Sequence, residues 1–163
     1  MKKLFDELAY EVSKRTTEKY STSFSLGILA LKPCIRNSIY AIYGYVRLAD
    51  EIVDSFHGYD KKRLFGRLYL DTNCALEEKI SLNPILQSFQ ETVHRYAVDT
   101  ELIRQFLHSM EMDLTKIDYN DERYREYIYG SAEAVGLMCL QVFTEGDRAQ
   151  YEELKPYAMK LGS

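Results

Sequence analysis

Apolar residues recur along this chain at steps of three and four and almost never alternate singly, which is the spacing of amphipathic helices and not of strands. The clearest run follows Pro33. Ile35, Ile39, Ile42, Val46, Ala49, Val53 and Phe56 keep the helical step, and proline is tolerated in a first turn because its missing N–H would be unpaired there anyway. Residues 2 to about 18 place Leu4, Leu8 and Val12 at four-residue steps among charges, the pattern of a first amphipathic helix. "YSTSFSLG" then interrupts with hydroxyls and no charge. Asp60 caps a helix that runs to about Ile80, and Asn83 with Pro84 starts one reaching about Ala97. Leu102, Phe106, Met110 and Leu114 mark another, to about Ile117, before "DYND" breaks the pattern. Residues 121 to about 144 form the next, and "DRAQYEELKPYAMKLG" resumes a helix after Gly146. The expected architecture is all-α, about seven segments in one helical domain spanning 1–163. "YIYGSAEAVGLMCLQVF" is apolar on nearly all sides and is expected at the bundle centre.

Composition narrows the function classes. Hydrophobic residues make up 46% of 163, enough to bury a core in one domain. The 21 basic and 25 acidic residues leave a net charge of -4 without a basic stripe, which excludes nucleic acid as a natural partner. Uncharged runs at 20–31 and 134–144 are too short to span a bilayer, so the chain reads as soluble and cytoplasmic. Cys34, Cys74 and Cys139 lie far apart with no C-x-x-C spacing, and read as reduced core thiols. Fourteen tyrosines against no tryptophan suit half-exposed packing, or the wall of a partly wet cavity.

The helix after Pro33 carries candidate chemistry in "YGYVRLADEIVDSF". With about 100° per residue, Arg47, Asp50, Glu51 and Asp54 fall within about 100° of one another, away from Ile35, Ile42, Ala49 and Val53. A plain solvated face is one reading. Tyr40, Tyr43 and Gly44 continue the same face, however, so the carboxylates would open onto an aromatic-walled space. Mg²⁺ is usually held by one or two carboxylates plus waters and substrate phosphates, which Asp50 and Asp54 one turn apart would suit, and the planar fork of Arg47 suits a phosphate. In "YSTSFSLG", the hydroxyls of Ser21, Thr22, Ser23 and Ser25 and the neighbouring N–H groups suit either a phosphate or an ordinary capped turn.

Together these segments resemble a known family. "YSTSFSLGILALKPCIRNSIYAIYGYVRLADEIVDSF" is similar to the N-terminal signature of squalene and phytoene synthases, a Ser-x-Ser-Phe segment followed by an aromatic helix ending in Arg-x-x-Asp-x-x-x-Asp. "MEMDL" and "YIYGSAEAVGLM" resemble two later family segments, in matching order and spacing. The resemblance implies an all-α isoprenoid-synthase fold around a central cavity. It also implies head-to-head transfer between two polyprenyl diphosphates: one diphosphate departs, the allylic cation is captured by the second substrate, and a cyclopropylcarbinyl diphosphate rearranges to the linked product. Asp50 and Asp54 would then be Mg²⁺ ligands, with Mn²⁺ an alternative ion, and Glu51, which stands where many relatives have a second Asp, would join them as a metal residue. Arg47, Ser21 and Ser23 would contact diphosphate; Tyr43, Tyr129 and Val135 would line the cavity; Asp113 would be a second-tier polar contact. Phe24 and Leu26 are expected as wall or packing residues.

The family pattern also has a second aspartate-rich motif on a later helix, and no segment here supplies it. The chain is therefore expected to be the N-terminal portion of such a domain, holding half of the site. An exposed apolar seam would favour self-association. Phytoene formation from two C20 diphosphates is the first expectation; squalene or dehydrosqualene formation from C15 diphosphates is the alternative, with NADPH only in the squalene case. Peripheral membrane contact is expected from the greasy substrate and product. A reading of another class is a non-catalytic helical assembly or interaction protein.

Overall fold

The run after Pro33 forms α3 (Pro33–Asp54), the helix that most others touch. In the computed structural model, which describes residues 1–115 and 121–162, it packs against α1 (Lys2–Tyr20), α2 (Thr22–Leu29), α4 (Lys61–Glu78), α5 (Pro84–Tyr96), α6 (Thr100–Thr115) and α8 (Ala134–Phe143). A helix α7 (Asp121–Ile128) leads through a π-helical turn (Tyr129–Glu133) into α8, and α9 (Arg148–Gly162) folds back on α8. No strand occurs among the described residues. The expected all-α class is therefore observed. The expected helix end at Ile117, and most of the "DYND" break, lie outside the described residues.

The core centres on Tyr45, whose ring stacks on Phe89 at 3.8 Å and 8°. Its hydroxyl lies 3.1 Å from Thr72 Oγ1, and because Thr72 gives its own proton to the Leu68 carbonyl, Tyr45 is the donor. As expected, α8 is central: Ala134, Leu137, Met138, Leu140 and Val142 are buried against α3, α6 and α9.

Three expectations are corrected. The first concerns α1, where Leu4 and Leu8 are 70% and 50% exposed and the helix instead buries Ala9, Tyr10, Ser13 and Thr17 against α3 and α5. Small residues win that face because the helices cross closely: a Cβ on Gly44 of α3 would sit 2.9 Å from Ser13 Oγ. Second, "YSTSFSLG" is mostly helix. Ser21 caps α2 by accepting from the Phe24 N–H at 3.2 Å, and Arg36 ties off its far end by donating to the carbonyls of Leu29 and Leu31. Third, the helix from 121 to 143 is not regular. Its π-helical turn lies where it meets α6, and Gly130 there faces the Gln105 carbonyl and Ser109 with no room for a side chain.

Candidate functional site

The last two turns of α3 gather charge at a helix end that already carries partial negative charge from its unpaired carbonyls. Asp50, Glu51 and Asp54 lie there, and the last turn contains no basic residue. Lys61 partly compensates by donating to the Val53 carbonyl at 2.6 Å. A helix terminus built this way favours a cation.

Arg47 sits one turn earlier. Its Nη2 donates to Glu51 Oε2 at 2.5 Å, its Cζ lies 4.5 Å from the centroid of the Tyr20 ring, and its Nε is buried with no hydrogen-bond partner. Hydrogen bonding from Arg47 holds the Glu51 carboxyl below its usual range, and the Ser55 and Tyr20 hydroxyls lower it further. Asp50 goes the other way. Burial pushes its carboxyl up to about 6, Arg47 opposes the rise, and the charges of Asp54, Asp113 and Glu51 add to it. Asp113, half-buried on α6, thus lies near enough for its charge to act on Asp50.

Of the expected aromatic wall, Tyr43 is half-buried and stacks on Phe24 of α2 at 4.8 Å, so α2 roofs the segment just before Arg47. Tyr40 is 3% exposed and belongs to the core, and Gly44 lies beneath Ser13; that part of the face is packed, not open. Ser21 is engaged as the α2 cap, whereas Ser23 is exposed. Val135 is half-buried against the core. Burial raises the Tyr129 hydroxyl, and the charges next acting on it are Glu133, Glu101 and Asp99. The structure therefore joins Arg47, Glu51, Asp50, Asp54 and Asp113, and adds Tyr43 through α2. Sequence reasoning missed Tyr20, whose shelf beneath Arg47 exists only because α1 ends beside α3.

The donor set suits a metal that arrives with its own oxygen ligands. Among the described residues, no group of three or more His, Cys, Asp or Glu side chains converges closely enough to hold an ion unaided. A desolvated Asp50 repelled by neighbouring carboxylates, beside an Arg47 with a buried unpartnered donor, instead fits a cation and a phosphate bound together.

Comparison with known proteins bears on the chain as a whole. A family model described as squalene/phytoene synthase matches residues 17–163. The chain belongs to the squalene/phytoene synthase family. Phytoene synthase 2, chloroplastic, of Solanum lycopersicum is 30% identical over 161 residues, covering 94% of this chain and 51% of that protein. Phytoene synthase of Arthrospira platensis is 28% identical over 142 residues, covering 82% of this chain and 44% of its own length. Among solved structures, a dehydrosqualene synthase superposes with a TM-score of 0.82 at 23% identity, over 96% of this chain and 53% of that one. Squalene synthase HpnC from Alicyclobacillus acidocaldarius gives 0.79 at 22% identity, over 94% and 58%. The fold is shared with both, and the chain spans about half the length of the curated relatives it matches. Among the described residues, no helix is long and apolar enough to cross a membrane.

Proposed function

We propose that this chain provides the diphosphate-binding wall of a Mg²⁺-dependent prenyltransferase that joins two polyprenyl diphosphates head to head. The observation that carries the reading is the grouping of Arg47, Asp50 and Asp54 on one face of α3, with the charge of Asp113 on α6 acting on Asp50, in a chain of this family. Asp50 and Asp54 would hold the metal, for which Mn²⁺ is a chemical substitute. When bound, the ion supplies Lewis-acid stabilisation of the departing diphosphate. Arg47 meets the negative charge that develops on the leaving oxygens, and its planar fork orients them. The stacked rings of Phe24 and Tyr43 would form an apolar flank that keeps water from the prenyl chain.

The curated relatives named phytoene synthase favour geranylgeranyl diphosphate as substrate and phytoene as product. The C15 reading, giving squalene or dehydrosqualene, is the alternative that the dehydrosqualene and squalene synthases of the same fold suggest, and NADPH enters only in the squalene case.

Thermal denaturation tests the reading. Mg²⁺ with a thio-analogue of geranylgeranyl diphosphate at about 100 times its Kd should raise the midpoint by roughly 5–10 °C. Asp50→Ala and Asp54→Ala should each remove the shift. No shift in the parent chain with either C15 or C20 analogue sinks the reading and leaves a non-catalytic helical protein; a shift that survives both substitutions removes the metal assignment.

A further inference from the structure

Glu51 was expected to join Asp50 and Asp54 around a metal, yet its carboxylate is turned along the helix to Arg47. Nothing in helix chemistry demands this contact. The pair runs Arg to Glu at four residues, the weaker of the two orders, because it sets both charges against the helix dipole. The environment demands it instead. Both side chains are largely shielded, at 25% and 21% exposure, so an Arg47 without a counter-charge would be an uncompensated cation in a poorly solvated place. The match is also incomplete: Nη2 is engaged while Nε is buried and unpartnered. A guanidinium fork satisfied on one prong has a spare donor for a second oxygen, which an acceptor with several anionic oxygens supplies. Tyr20 lies against the guanidinium at 4.5 Å and holds it by its ring.

We infer that Glu51 is a resident stand-in for the diphosphate, neutralising Arg47 while the site is free of ligand and giving way when a diphosphate enters, with Tyr20 keeping the guanidinium in place through the exchange. The inference rests on the proposed diphosphate site and deepens it. Glu51 is then a positioning residue and not a metal ligand, and Tyr20 is a second positioning residue on a different helix. Competition from Glu51 lowers affinity for the anion, and the site gains a charge-balanced resting state in return.

The two roles for Glu51 predict opposite signs in one experiment. Inorganic diphosphate is titrated calorimetrically into the 163-residue chain, first with EDTA and then with Mg²⁺. Glu51→Gln should tighten metal-free binding roughly fivefold by removing the competitor, and keep the enhancement by Mg²⁺. Glu51→Ala should do the same, which separates the effect from any new hydrogen bond made by the amide. Tyr20→Leu should weaken binding about threefold, while Tyr20→Phe, which keeps the ring and only takes its hydroxyl from Glu51, should bind at least as tightly as the parent. Circular dichroism confirms that each variant is folded, and Arg47→Gln should abolish binding. Loosened binding in Glu51→Gln, or loss of the Mg²⁺ enhancement, makes Glu51 a metal ligand and overturns the inference while the proposed function stands. No binding by the parent chain in Mg²⁺ overturns both.

Discussion

Asp50→Asn should make the ligand-free chain more stable at about pH 7.5, by about 2 kcal/mol, while erasing its response to Mg²⁺ and prenyl diphosphate. Burial, reinforced by Asp54, Asp113 and Glu51, raises the folded-state carboxyl to about 6 from an ordinary 3.8. The sign follows from proton uptake. Between those two values the folded chain binds the proton that the unfolded chain releases, so this group's penalty is absent below 3.8 and grows with rising pH until it is complete above about 6. Asparagine has nearly the same shape and no charge, and so escapes the penalty. Urea denaturation of both chains should show the gap at about pH 7.5 and its disappearance near pH 4. Equal stabilities at the higher pH would mean that Asp50 is better solvated than its surroundings indicate. A carboxylate kept where it weakens the fold is a trade of stability for function.

Among the described glycines, Gly130 should tolerate alanine least, at a cost of about 3 kcal/mol or more. An added methyl would overlap the Gln105 carbonyl and come within 2.7 Å of Ser109 Cβ, and neither is the free end of a flexible side chain. Relief requires the π-helical turn and α6 to part, which would also disturb the helix that presents Asp113. Gly136 in α8 provides the contrast. Its added Cβ would lie 3.6 Å from the Ala158 carbonyl, an ordinary contact, so Gly136→Ala should be neutral or gain up to about 1 kcal/mol from helix propensity. Denaturant midpoints of the two variants, read side by side, separate steric exclusion at the crossing from a general preference for glycine. Equal behaviour would contradict the geometry.

Periodicity is sufficient for α3 and α6, whose apolar stripes lie on the faces they bury, and the caps Asp60 and Asn83 mark the starts of α4 and α5. Periodicity fails where packing chose residues on size. α1 meets α3 over Ser13 and Gly44, so its buried face reads as polar and small while Leu4 and Leu8 point outward. α2 was hidden because serine hydroxyls, which compete for backbone hydrogen bonds, resemble a loop in sequence; here Ser21 caps the helix and Ser25 bonds back to the Ser21 carbonyl. The grouping of Arg47, Asp50, Glu51 and Asp54 was legible from helical spacing alone. What each does was less so. The burial of Asp50, the charge of Asp113 acting on it and the Tyr20 shelf are tertiary features with no local signature.

If metal and diphosphate occupy this wall together, the binding of each depends on the other. Mn²⁺ binding should be measured by its paramagnetic resonance signal, with and without a thio-analogue of geranylgeranyl diphosphate, and the analogue titrated with and without metal. Each should improve the other's affinity by the same factor, about tenfold or more, and Asp50→Ala or Asp54→Ala should erase that coupling. Independent binding of the two, or coupling that persists in both variants, would contradict the account.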